Sequence, residues 1–466
     1  MSSNLRSASL IQGVRFTLQA MLPNVAQGLF RRRPRAVAAA TKLNVDRHAV
    51  GLIGGIRRSH GPGPVWVRVG TDQMLLALST DDVRRVLEGS PHPFAPDPDA
   101  KRRGVSHFQP DALTISRGQA WEKRRRFAEA VLDTAKPVHR LADRFVTVAG
   151  EQGGALLDEV GGAGGGELRW DAFHHAFQRL TRRVVLGDAA GDDQELTELL
   201  ATLMDEANGL PKERSESFEP FMAKLRGYLE AAEAGSLVGL FGEAPSDEET
   251  RVEGQLTHWL FAMGDTLPAN AFRALALIAS HPRQLRLHNC SLARVAGDQR
   301  QRAVVETELA AAGEDGGLDA GSVASLAYLE ACLEEAMRLW PTTPLLSRET
   351  LEETDWDGAA APVGTQVLIS NTFNHRDPER HEFADRFAPE EWTEGGAAEN
   401  WSFNHFSHGP QGCPGAGLAL LIGKAVLADL MRQRRFRLLE PKLNPDQPLP
   451  HMLDFFRLRL AVEPPA

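Results

Sequence analysis

Cys413 stands in Phe406-Ser-His-Gly409-Pro-Gln-Gly-Cys413-Pro-Gly415, a run of the form F-x-x-G-x-x-x-C-x-G. This pattern puts one thiol on a tight glycine-rich loop at the start of a helix. Pro414 and Gly415 are expected to open that helix, and Ala416 to Met431 continue it. Proline suits a first helical position because its missing N–H would be unpaired there anyway. The partial positive charge and free N–H groups of a helix N-terminus favour an anionic sulfur. Gly409, Gly412 and Gly415 let the backbone turn tightly and come close to a flat ligand.

A lone axial thiolate is one of the few ways a protein holds haem iron, and other segments point the same way. In Leu333-Glu-Glu335-Ala-Met-Arg338-Leu-Trp-Pro341, apolar residues recur at three and four (Leu326, Leu329, Leu333, Met337, Trp340), the mark of a helix with a buried face. Pro341 stops it. Glu335 and Arg338, three apart, are neighbours on that helix. As an isolated surface ion pair they would contribute little. Trp259-Leu-Phe-Ala-Met-Gly264-Asp265-Thr266 begins an apolar stretch running to about Ser280, and a carboxylate inside such a run is costly unless compensated. An acid beside an alcohol is a proton-delivery pair. Pro268 is expected to kink this helix. Trp121-Glu-Lys-Arg-Arg125 places Trp121 and Arg125 four apart on one helix face.

In order and spacing these segments resemble the cytochrome P450 family, the haem-thiolate monooxygenases. The resemblance covers nearly all the chain after about residue 50. It implies a mainly α fold with small β-sheets, the triangular P450 prism. Haem b (iron protoporphyrin IX) would lie between the central helix and the helix after Cys413. It also implies roles. Cys413 is the metal ligand, axial to the haem iron. Phe406, His408, Gly409 and Gly415 shape the haem loop. Trp121, Arg125 and Arg348 reach the propionates. Asp265 and Thr266 are catalytic and deliver protons. The sequence departs from the family pattern at three places. Glu391 replaces the usual Arg, which takes the third member from the Glu335–Arg338 triad. Gln411 replaces Arg or His. Met263 replaces Gly, with Gly264 expected to leave room for a small ligand.

Composition bounds the rest. The chain has 466 residues with 42% hydrophobic and 24% charged, values of an ordinary globular protein. A net charge of −10 and a pI near 5.9 argue against nucleic acid as a main partner. Residues 1–45 read as a variable extension and 46–466 as one P450 domain. No stretch there is apolar enough to span a membrane, although Arg31-Arg-Arg33 after Phe30 resembles a weak membrane-surface segment. Arg outnumbers Lys by 44 to 8, a codon signature of a GC-rich bacterial genome. The three cysteines cannot all pair, so Cys290 and Cys332 read as inert thiols in a reducing, cytoplasmic compartment. The glycine run 161–166 reads as a flexible loop. His174 and His175, adjacent on a helix, cannot converge on one metal.

Electrons are expected from a separate ferredoxin and ferredoxin reductase, docking near Lys123, Arg124 and Arg126. The substrate is expected to be an apolar small molecule, bound by Phe94, Phe108 and Leu113 and by the region of Phe218, Phe221 and Leu237. The rival readings are a peroxide-dependent or non-oxygenating haem-thiolate enzyme, which Asp265-Thr266 disfavours, and a non-catalytic relative, which Cys413 disfavours.

Overall fold

The computed structural model describes residues 5–161, 165–209, 213–280, 301–312 and 317–464. Cys290 and residues 162–164 of the glycine run therefore lie outside the described residues. The described chain is mainly helical, with a six-stranded, a three-stranded and a two-stranded sheet among those residues. Val65–Val69 and Asp72–Ala77 pair antiparallel around Gly70, whose φ of 62° belongs to the left-handed region that glycine tolerates. Asp72–Ala77 then pairs parallel with Gln366–Ser370, and that strand pairs antiparallel with Leu345–Thr350. Arg348 is thereby fixed opposite Val367 in the middle of the sheet.

Three helices carry the core. The central one runs as Val252–Phe261, a π-wound turn Ala262–Thr266, and Leu267–Ser280. Every residue of Leu267–Ser280 is buried, as expected of a helix surrounded by protein. The irregularity expected at Pro268 sits one turn earlier. Proline offers no N–H to the carbonyl four residues back, and the chain widens into the π turn before it. The second helix is Ala327–Leu339 and the third Ala416–Gln433. All three meet at Gly423. A Cβ there would lie 3.1 Å from Leu333 and 3.5 Å from Leu267, so a larger residue would push the helices apart.

The structure corrects three expectations. The third helix begins at Ala416 with Gly415 as its cap, so Pro414 precedes it. Gly166, the end of the glycine run, opens the strand Gly166–Arg169, paired with Arg459–Glu463. The N-terminal segment is packed rather than free: Arg6–Ser7 pair parallel with Val65 and Trp66, and Phe16 and Ala20 join a cluster with Ile53, Val67 and Phe373. Asn208 clamps its end, accepting from the Phe30 N–H at 2.9 Å and donating to the Arg31 carbonyl at 2.8 Å.

Candidate functional site

The cysteine loop is tied by its own backbone. The Cys413 N–H donates to the Phe406 carbonyl at 2.8 Å, and Gly412 N–H to the Gly409 carbonyl at 2.9 Å. Gly409 has a φ of 67°, and a Cβ there would sit 2.6 Å from the Leu87 carbonyl, so only glycine fits. Arg125 reaches in from Gly118–Val131, donating to the Gly412 carbonyl and to Glu129 at 2.6 Å. Thr134 donates to the Pro414 carbonyl at 2.6 Å. His408 gives Nε2–H to the Phe403 carbonyl at 3.0 Å and packs on Trp401, so its imidazole holds the loop's own backbone.

The Cys413 side chain is exposed, yet burial is what raises its pKa, opposed by the Gly415 N–H and by Arg125. Cys332, by contrast, is fully buried, and burial pushes its thiol well up.

Several polar groups near this loop are left without partners. The indole Nε1 of Trp121 and the amide Nε2 of Gln411 are buried with no hydrogen bond. Arg348 is 4% exposed, and burial pushes its guanidinium down to about 10 with no carboxylate opposing. It donates only to Ser90 Oγ and the Ser347 carbonyl. Lys101 lies close enough for its charge and that of Arg348 to act on each other. Its ammonium donates to the Pro96 and Thr114 carbonyls; burial first, then Arg348, push it down to about 7, and Asp97 only partly offsets them. The sequence reading missed Lys101. A buried cation with spare donors and no carboxylate partner is costly unless an anion joins it. An accessible thiol, an orphaned indole N–H and an Arg348 guanidinium that no carboxylate opposes suit a flat group carrying two carboxylates, so these residues fit haem.

Beneath the loop, Glu335 and Arg338 form no surface pair. Both are fully buried, with Arg338 Nη2 2.6 Å and Nε 2.7 Å from the carboxylate. The place expected for an arginine from Glu391 is taken by its neighbour. Trp392 Nε1–H donates to Glu335 at 2.8 Å, and the Ala388 N–H at 2.9 Å. Arg338 spends its other N–H groups on the carbonyls of His375, Ala384, Phe383 and Arg386.

Asp265 and Thr266 lie elsewhere, on the wall of a cavity of about 830 Å³. Arg32, Trp170, Arg273, Pro341 and Phe455 also line it; no residue of the cysteine loop does. His174, set aside as a metal ligand, is the partner of Asp265, with Nε2 3.1 Å from Oδ1. Among the described residues no His, Cys, Asp or Glu cluster could hold a metal ion. A Cβ on Gly264 would lie 3.8 Å from Thr181 of the Trp170–Leu186 helix, an ordinary contact, and Gly264 lines a small pocket there with Asp265. The expected substrate residues are core: Phe94 packs on Trp356, Phe108 on Phe30 and Phe261, and Phe218, Phe221 and Leu237 are buried in the main cluster. The expected basic docking face is mostly spent as well. Lys123 pairs with Asp247 and Glu249, and Arg124 is buried against Asp111.

Residues 291–460, which include the cysteine loop and the Glu335–Arg338 pair, match the family model described as Cytochrome P450. Cytochrome P450 monooxygenase sphH of Aspergillus fumigatus is 37% identical over 141 residues, covering 29% of this chain and 25% of that protein. Cytochrome P450 4c3 of Drosophila melanogaster is 27% identical over 194 residues, 41% of this chain and 33% of that protein. The chain thus spans about a third or less of these relatives. Among solved structures, retinoic acid bound cyanobacterial CYP120A1 is similar with a TM-score of 0.69 at 18% identity, over 88% of this chain and 94% of that one. A zebra fish cytochrome P450 with abiraterone gives 0.67 at 19% identity, over 89% and 98%. The helical fold is that of the P450 class. Residues 291–460 are thus similar in sequence to cytochrome P450 proteins, and the chain shares their fold.

Proposed function

We propose that this protein is a haem-thiolate monooxygenase that inserts one oxygen atom from dioxygen into an apolar organic molecule. The observation that carries this reading is the accessible Cys413 side chain on a loop pinned by its own backbone and by Arg125, together with a buried Arg348 that no carboxylate opposes. Haem b, when bound, would supply activation of dioxygen at its iron. Cys413 Sγ would hold its iron. The Gly415 N–H and Arg125 favour its thiolate and so steady it. Trp121 Nε1–H, Arg125, Arg348 and Lys101 would hold the two propionates, with Gln411 Nε2–H as a neutral donor. Phe406 and Gly409 fix the loop's turn, and His408 braces it through Phe403.

Asp265 would take protons through the hydrogen bond from His174 and hand them toward Thr266 Oγ1. Gln178 lies 3.3 Å from the same His174 nitrogen and restrains the ring. Electrons would come from a separate ferredoxin and ferredoxin reductase in the cytoplasm of a bacterium. Arg126 is the exposed basic residue of the tryptophan helix left for such a donor. The rival, a peroxide-dependent or non-oxygenating enzyme, needs no such acid–alcohol pair.

The test is the Soret band of the reduced carbon monoxide complex. Wild type and Cys332→Ser are expected to give the red-shifted band of thiolate ligation, and Cys413→Ser to lose it. Retention of that band by Cys413→Ser would remove the reading.

A further inference from the structure

The cavity that holds Asp265 and Thr266 has a cationic end that the proton pair does not use. Arg273, on the helix Leu267–Ser280, lines it at 9% exposure, and half-buried Arg32 lines it from the N-terminal segment. Arg273 donates to the Trp340 carbonyl at 2.9 Å and to the Leu453 carbonyl at 3.4 Å, while its Nε is buried with no hydrogen bond. Its guanidinium lies over Phe455, 4.9 Å from the ring centre. Arg32 donates to the Thr342 carbonyl at 3.0 Å. Burial lowers both guanidiniums, and Arg273 comes down to about 9 because the charge of Arg32 adds to that burial. Like charges that face each other away from water are costly until an anion joins them.

The carboxylates around the cavity do not complete these two cations. Asp46 is the one that faces both; burial raises it to about 6, against the pull of Arg32, Arg376 and Arg273. Asp454 also faces Arg273, but it accepts the Phe456 N–H at 3.1 Å and lies 3.6 Å from Arg457. Farther along the wall, Asp205 pairs with Arg31, Asp265 with His174, and Asp171 is exposed. Arg32 and Arg273 against Asp46 leave one positive charge, two less one, which a monoanion balances and a doubly charged phosphate would overshoot. Between this end and Thr266 the wall is largely apolar, with Trp170, Phe261, Ala269, Trp340 and Phe456. About 830 Å³ is room for a molecule of drug size.

We propose that this cavity takes an apolar acid whose single carboxylate is held by Arg273 and Arg32. A planar guanidinium offers parallel N–H donors that match the two oxygens of a carboxylate, and such charge-assisted bonds are the strong ones. Thr266 and Arg273 are seven residues apart on one helix, two turns or roughly 10 Å along its axis. An acid anchored at Arg273 therefore has its apolar body, and not its carboxylate, beside Asp265 and Thr266. That this body is what the enzyme oxidises rests on the monooxygenase reading; capture of the acid does not.

The experiment is equilibrium dialysis of the purified protein against decanoate and 4-biphenylacetate, a flexible and a rigid acid, each compared with its primary amide, which has the same shape and no charge. At least one acid is expected to bind, and to bind roughly tenfold more tightly than its amide, the ratio that a hydrogen bond to a charged group gives. Arg273→Gln and Arg32→Gln are each expected to weaken the acid by roughly tenfold and to leave the amide within about twofold. Circular dichroism checks that each variant is folded; Arg32 is only half-buried, so its variant carries the test if Arg273→Gln is not. Failure of both acids to bind overturns the proposal. So does equal binding of acid and amide, or a preference that survives both substitutions. Displacement of the acid by an equal concentration of inorganic phosphate would assign the two arginines to a free anion and overturns it as well. Dialysis reads capture without turnover. An acid held by wild type and released by the arginine variants, with no oxygenated product, would keep this site and remove the monooxygenase reading alone.

Discussion

Arg338 and Arg348 are ten residues apart, both buried, and oppositely treated by their surroundings. Arg338 has Glu335 against it and four backbone carbonyls around its remaining N–H groups. Arg348 has a serine hydroxyl and one carbonyl, and no carboxylate opposes the burial that lowers its pKa. The first cation is complete within the protein. The second has no anion against it among the described residues. Buried charge that is fully paired braces the fold, whereas buried charge left open marks a binding site.

The sharpest way to break this contrast is to remove each arginine in the absence of haem. Arg338→Ala strands the Glu335 carboxylate in the core, a loss on the order of 3–5 kcal/mol. Arg348→Ala strands nothing, so its apoprotein is expected within about 1 kcal/mol of wild type, the range of substitutions that leave no buried group unpaired. Chemical denaturation of the two apoproteins decides it. Equal losses would mean that Arg348 is as structural as Arg338.

With haem present the order should change. On the proposed haem reading, Arg348→Ala and Arg125→Ala would each leave a propionate under-neutralised in a partly buried site, a loss of about 2–4 kcal/mol in haem affinity. Both are expected to purify with substoichiometric haem. Gln411→Ala removes only a neutral donor and is expected to stay nearly full. Haem-to-protein ratios read this directly. Full occupancy in both arginine variants, with loss in Gln411→Ala, would reverse the assignment.

Within the complete half of the comparison, Trp392 holds the place expected of an arginine. Trp392→Phe keeps the ring but leaves Glu335 with one fewer donor, a loss of about 1.5–3 kcal/mol for a hydrogen bond to a charged group. Denaturation midpoints at neutral pH measure it. No change would mean that the Ala388 N–H and Arg338 suffice.

The sequence made some of this legible and hid the rest for physical reasons. The three-residue spacing of Glu335 and Arg338 and the glycines around Cys413 are local, so the pair and the loop could be read directly. Trp392 as the third partner could not, because what fills a lost arginine's place depends on a neighbour's rotamer in the folded chain. His174 was rejected as a metal ligand on helix geometry, and that argument gave no view of Asp265 approaching from another helix. Phe218, Phe221 and Leu237 looked like a pocket because an apolar residue does not say whether it faces a cavity or a core; here it is the core. Lys101 carried no local signal at all, since only burial beside Arg348 sets it apart from an ordinary surface lysine. The N-terminal helix was misread as a free extension because its outward face is aliphatic and its inward face holds small and polar residues such as Gly13 and Asn24.

The smallest effect separates two neighbours on one helix. Glu335 is fully paired, whereas burial, with the charge of Glu330 next, raises Glu334 to about 8; Lys424 only partly offsets them. A carboxyl whose folded pKa is raised binds its proton more tightly in the native state than in the unfolded chain. Stability should therefore be highest below its ordinary pKa of about 4.5 and fall as pH rises through 8. Glu334→Gln keeps the shape without the charge. It is expected to match wild type near pH 5 and to exceed it above pH 8 by about 1–2 kcal/mol, a modest figure because solvent screens a side chain that is 18% exposed. Melting temperatures of the two proteins across that range give the difference. Parallel curves would mean that Glu334 is ionised throughout, and that the contrast between paired and open buried charge on this helix ends at Glu335.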